Sequence, residues 1–168
     1  MSKELSIPDF MGTPAGRFLR EWESSQAAGV VGDVFGYSAV QIGLPELDLL
    51  RGNRIATHIQ IIPPEARNLK NISSQDPLNR ILADFTEIPL ASESQDLVVL
   101  PHALDFWETD APAQKVLREA ARILVPEGRI VLTAFNRAGL WSLRQRLSWI
   151  GLGGPFLPCL LYTSDAAD

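Results

Sequence analysis

Of the side chains that titrate near neutrality or hold soft metals, the sequence has His58, His102 and a single cysteine, Cys159. The two histidines lie in different segments, and no carboxylate stands at metal-ligand spacing from either. The phosphate-cradling patterns GxGxxG and GxxxxGK[ST], the zinc pattern HExxH and the nucleophile elbow GxSxG are all missing. What remains is a set of polar residues at the ends of apolar runs. His102 follows Asp96-Leu-Val-Val-Leu100 and Pro101; an imidazole with an unperturbed pKa of about 6.5 suits a general base, and equally a histidine bonded to backbone at a helix start. Asp84 closes Arg80-Ile-Leu-Ala with Phe85 beside it, a place for a ligand-facing acid or for a turn cap. Gly43 closes Ser38-Ala-Val-Gln-Ile. Glu65 follows Pro63-Pro64 and reads first as a solvated loop carboxylate.

The elements that must position these residues follow from local pattern. Thr13-Pro14 is a helix start, with threonine as N-cap and proline at the first helical position. Phe18, Leu19 and Trp22 then form a stripe flanked by Arg17, Arg20, Glu21 and Glu23, and a second helical piece over 27–35 is expected to break near Gly29 or Gly32. Short apolar runs at 38–43, 55–62, 80–84, 96–100 and 129–135 predict five strands; the second is rich in β-branched residues, and Gly43, Pro63 and Pro101 stop the first, second and fourth. Ala113 to Leu124 is the clearest helix, and 140–150 is a further amphipathic one. Strands alternating with helices imply right-handed crossovers and a parallel sheet, whose ligands bind beyond the carboxyl ends of the strands.

Composition narrows the classes. Fifteen Lys+Arg against twenty Asp+Glu give a formal charge of −5 in 168 residues, which argues against a binder of nucleic-acid backbones. No apolar stretch approaches the ~20 residues needed to cross a bilayer. The start, MSKELSIPDF, lacks the features of a signal peptide, so a cytoplasmic protein is expected. One cysteine excludes an internal disulfide framework.

The stretch from Ile81 to Phe135 resembles the second half of a class I S-adenosyl-L-methionine-dependent methyltransferase domain of a divergent bacterial branch. The resemblance rests on Ala83-Asp84, the turn Ile88-Pro89-Leu90, the strand Ser94 to Val99, His102, the helix Leu117-Arg-Glu-Ala-Ala-Arg-Ile-Leu124 and the turn Pro126-Glu127-Gly128 before Arg129-Ile-Val-Leu132. It implies an α/β fold with a Rossmann-like doubly wound, mostly parallel sheet, incomplete at about five of seven strands. It implies S-adenosyl-L-methionine as cofactor and an unidentified methyl acceptor. Gly43 would adjoin the methionine part, Glu65 the ribose, and Asp84 with Phe85 the adenine, while His102 would face the acceptor as catalytic residue. Leu44 and Pro45 stand where the family places further glycines. That departure motivates the alternative, a non-catalytic binding or scaffold protein of the same fold.

The chain divides into a helical segment over 1–36, the methyltransferase-like domain over 37–150, a loop over 151–158 and a tail over 159–168. The tail can be encoded as TGT CTC TTA TAC ACA TCT GAC GCT GCC GAC, which resembles a transposon-end sequencing adapter read as codons; it is expected to be non-native. The domain is then expected to be truncated at its C-terminus, with Arg129–Phe135 as an uncovered sheet edge.

Overall fold

The computed structural model describes residues 7–64, 79–107, 110–135 and 159–165. The expected strands form, in chain order, β1 (Ser38–Ile42), β2 (Thr57–Ile62), β3 (Asn79–Leu82), β4 (Gln95–Pro101) and β5 (Leu124–Phe135). They pair in parallel as β3-β2-β1-β4-β5. Helices α1 (Ile7–Met11) and α2 (Pro14–Val31) precede the sheet, and α3 (Asp110–Ile123) links β4 to β5.

Side-chain alternation explains why β1 and β4 are central. Ala39, Leu97 and Val99 point to one face, where they join Leu19, Ala27 and Val31 of α2. Val40, Ile42, Val98 and Leu100 point to the other, against Val116, Ala120 and Ile123 of α3. Strands covered on both faces are apolar on both, which is how Ala39-Val40 and Leu97–Leu100 read, with Gln41 as a buried polar exception.

Three expectations change. Helix α2 starts at the expected cap, Thr13 Oγ1 accepting from Gly16 N at 3.1 Å, and passes Gly29 to end at the second expected break, with Gly32 as C-cap, but the face it buries differs from the expected stripe. Its buried row is Gly16, Leu19, Glu23, Ala27 and Val31, while Phe18 is 72% exposed. Gly16 in that row lets α1 approach closely, since a Cβ there would meet Phe10 O at 2.2 Å, and Glu23 goes inside because a partner waits there. The turn 126–128 is absorbed into β5 as an irregularity, the register jumping from Gln95–Leu124 to Leu97–Arg129. The β5 edge, expected to be uncovered, is paired antiparallel by β6 (Cys159–Asp165), making a sixth strand. An open edge presents unpaired N–H and C=O groups, and Leu-Leu-Tyr-Thr is β-prone. Backbone pairing of this kind is indifferent to where those residues originate.

Glu65 and the amphipathic helix expected over 140–150 lie outside the described residues.

Candidate functional site

Connections from β1 and β4 leave in opposite directions across the sheet, so the strand order reverses between them. At this switch point the two carboxyl ends nearly touch. Gly43 has φ +140, and a Cβ there would meet Pro101 O at 2.3 Å. Leu44 N then donates to Pro101 O at 3.3 Å, so the loop after β1 crosses over the end of β4. Glycine is required here by backbone approach and by φ, both of which any side chain would violate.

One buried side chain shapes the loop beyond. Gln41 donates through Nε2 to Leu44 O at 3.2 Å and Leu47 O at 2.6 Å, and its Oε1 accepts from Leu49 N at 2.9 Å. Three bonds from one amide hold a turn that lacks further glycines. Leu44, Leu47, Leu49 and Leu50 then bury against the α2 side of the sheet.

His102, the first residue after β4, is fully buried and takes a left-handed backbone at φ +53. Its N–H donates to Thr133 O at 2.9 Å, and its own carbonyl accepts from Asp105 N at 3.0 Å. The ring stacks at a tilt on Phe135, centroids 4.4 Å apart. Nε2 lies 2.9 Å from Glu23 Oε1 and Nδ1 lies 2.8 Å from Asp105 Oδ2. Carboxylates only accept, so both contacts are hydrogen bonds together only when each ring nitrogen carries a proton. Asp105 Oδ2 also accepts from Phe135 N at 2.9 Å. The imidazole thus ties α2, the loop after β4 and the end of β5 into one unit. A ring held in this way offers no nitrogen to an acceptor while both bonds persist.

Asp84 lies just past β3, two strands from β1 and therefore on the order of 10 Å away. Its Oδ1 accepts from the N–H and the hydroxyl of Thr86, each at 2.8 Å. Those two bonds, with Lys115 adding its charge, hold the exposed carboxyl below the usual range. It is both a turn cap and an ionised acceptor at a strand end. Phe85 is buried, with its ring edge-on to Phe106 at 5.8 Å.

A cleft of about 470 Å³ opens between α2 and the loop after β1, bounded by Arg20, Glu21, Ser24, Glu46, Asp48 and Arg51. Arg20 Nε and Glu46 Oε2 are buried and have no hydrogen-bond partner among the described residues. Burial pushes the Glu46 carboxyl up; its own backbone N–H and the charge of Arg20 act against that.

Arg20, Glu23, Gln41 and Glu46 were not singled out as site residues from sequence, although a signal existed for two of them. Glu23 sits four residues from both Leu19 and Ala27, in the buried row. Gln41 is a polar residue inside an apolar strand. Among the described residues, no group of three or more His, Cys, Asp or Glu side chains is placed to hold a metal ion. No helix among them is long and apolar enough to cross a membrane.

The strand order, the crossovers and a site at the reversal define a Rossmann-like, doubly wound fold. The chain matches the Methyltransferase domain family over residues 43–132, more than half its length, and belongs to that family. It is 26% identical over 150 residues to the uncharacterised protein YafS of Escherichia coli K12, an overlap covering 89% of this chain and 57% of YafS. The chain thus spans a little over half the length of that relative. Among solved structures, an S-adenosylmethionine-dependent methyltransferase of Thermotoga maritima superposes with a TM-score of 0.59 at 20% identity, covering 80% of this chain and 60% of that one. CalS10, an amino pentose methyltransferase of Micromonospora echinaspora solved with S-adenosylmethionine bound, also has a TM-score of 0.59, at 14% identity and 72% and 55% coverage. At such identities the likeness is one of fold.

The residues present fit that cofactor. An ionised acid stands past β3 where an amino group could donate, and side chains of both charges line the cleft beside β1.

Proposed function

We propose that the protein transfers a methyl group from S-adenosyl-L-methionine to an acceptor not yet identified. The observation that carries this reading is the family match, which opens at Gly43, directly after β1, and ends at Leu132 within β5, so that it takes in the loops that follow β1, β2, β3 and β4. The cofactor, when bound, supplies an electrophilic methyl on a sulfonium. Methyl transfer is an in-line displacement, so this chain's contribution is chiefly to orient donor and acceptor.

In this reading Gly43 lets the β1 and β4 ends meet beneath the cofactor. Asp84 accepts from the adenine amino group, and buried Phe85 fixes the loop that carries it. Glu65, by its place in the sequence after β2, accepts from the ribose hydroxyls. His102 is a positioning residue: with both ring nitrogens held by Glu23 and Asp105, it fixes the wall that the acceptor meets and takes no proton itself.

Calorimetric titration of the chain with S-adenosyl-L-methionine and S-adenosylhomocysteine tests the reading. Saturable binding of both, weakened roughly tenfold by Asp84→Asn, is expected for a lost charge-assisted hydrogen bond. No heat at millimolar cofactor sinks it.

A further inference from the structure

We propose that Thr86 is a positioning residue for the acid after β3: it takes up one oxygen of the Asp84 carboxylate and so presents the other to a purine that carries a 6-amino group, in preference to one that lacks it. The purine meant is that of the cofactor, so the proposal rests on the role given to Asp84 above. It goes further in naming the residue that sets the choice of purine.

Both bonds from Thr86 land on the same atom. Its N–H and its hydroxyl each donate to Asp84 Oδ1 at 2.8 Å. Oδ2 accepts from none of the described residues, and Asp84 is exposed. An ionised carboxylate can only accept, and the same two bonds hold this one below its ordinary value of 3.8. A purine amino group can donate to the free oxygen, whereas a purine with hydrogen at C6 leaves it unpaired. Fixing which oxygen is free removes a torsion that the ligand would otherwise have to order.

The rest of the loop is held without the Thr86 hydroxyl, so its effect is local to the carboxylate. Ala83 N donates to Ile62 O and Glu87 N donates to Asp84 O, each at 3.1 Å, and Phe85 is buried. Farther on, the N–H of Ile88 donates to Glu119 Oε2 and its carbonyl accepts from Arg122 Nη2, each at 2.9 Å. Arg122 Nη1 donates to Leu90 O at 2.9 Å. Glu119 and Arg122 are themselves paired on α3 at 2.8 Å. With the backbone tied down from Ala83 to Leu90, the freedom left to Asp84 is rotation of its own side chain, and the bonds from Thr86 remove it.

Thr86→Val keeps the shape of the side chain and loses the hydroxyl, while Thr86→Ser keeps the hydroxyl. Calorimetric titration with S-adenosylhomocysteine and with its 6-deamino analogue reads the preference as a ratio of two dissociation constants. In Thr86→Val, S-adenosylhomocysteine is expected to bind roughly fivefold more weakly, the net scale of one hydrogen bond, and the 6-deamino analogue to stay within about twofold. The ratio therefore falls, and Thr86→Ser restores it. Equal losses for both ligands mark a merely structural role, and no loss for either marks an idle hydroxyl; each overturns the proposal and leaves the cofactor reading intact. Equal binding of the two ligands by the unaltered chain overturns the role of Asp84, and no binding of S-adenosylhomocysteine overturns the cofactor reading itself; the proposal falls with either. A second measurement needs no ligand. The Asp84 carboxyl carbon, followed by NMR, should titrate closer to 3.8 in Thr86→Val than in the unaltered chain, and an unmoved titration overturns the part given to the hydroxyl.

Discussion

At the amino end of the sheet, Asp96 Oδ2 accepts from Tyr37 N at 2.7 Å and Ser38 N at 3.0 Å, and Ser38 Oγ donates to Gln95 Oε1 at 2.8 Å. At the carboxyl end the polar groups go deeper. Glu23 and His102 are fully buried, and Arg20 Nε, Glu46 Oε2 and Thr133 Oγ1 lack partners among the described residues. His58 Nε2 is the comparable atom near the amino end. The first set of bonds starts two strands and is half in water, so it contributes to stability in the ordinary way. The second takes charge out of solvent, which folding alone does not favour, since apolar side chains would fill the same space at less cost. The carboxyl end is therefore where stability has been given up for a polar, fixed geometry, as expected of a site at a strand-order reversal.

That contrast is broken most directly by removing His102. His102→Ala leaves the Glu23 and Asp105 carboxylates without their shared donor, and losing one partner of a buried ion pair costs about 3–5 kcal/mol. Asp96→Ala removes the acceptor for two partly solvated N–H groups, and about 1–2 kcal/mol is expected. Urea unfolding of the two variants measures both. A loss at Asp96 equal to that at His102 would mean that the two ends do not differ in kind.

How much of this was readable beforehand depends on whether the cause was local. Thr13-Pro14 starts α2 by capping chemistry confined to one turn, and the alternation through 96–100 defines a strand covered on both faces. The five parallel strands and their order class follow from such patterns. Glu23 reads from sequence as one more charge flanking a stripe, because its partner lies 79 residues away. Phe18 and Trp22 are apolar at helical spacing, yet of that stripe only Leu19 joins the row that packs, whose other members include Gly16, Glu23 and Ala27, two of them small and one charged, which carry a weaker pattern. The positions Gly43, Asp84 and His102 were legible as strand ends. What surrounds them was not, since the cleft and the buried histidine arise only when α2 is laid against the loop after β1 and the end of β4.

Thr133 tests the carboxyl end without touching a charge. Its hydroxyl is buried at 1% exposure and has no partner among the described residues, so Thr133→Val keeps the shape and removes an unsatisfied group. A gain of about 1 kcal/mol in unfolding free energy is expected. A loss instead would give the hydroxyl a partner and confine the unpaired atoms of this end to the cleft.

The smallest effect, and the most specific in its pH dependence, belongs to Glu46. Burial raises its carboxyl above the ordinary value of 4.5, so between that value and the raised one the folded chain holds more protons than the unfolded chain. Stability attributable to this residue therefore falls as pH rises through that window, and stays reduced above it. Glu46→Gln removes the penalty. The variant should be more stable than the parent at neutral pH, by no more than about 1 kcal/mol given solvent screening, and the two should converge below pH 4.5. Thermal melts across the acid range measure the difference. A gap that instead widened toward low pH would mean that the folded state stabilises the ionised carboxylate, and Glu46 would then belong with Asp96, as a satisfied structural acid.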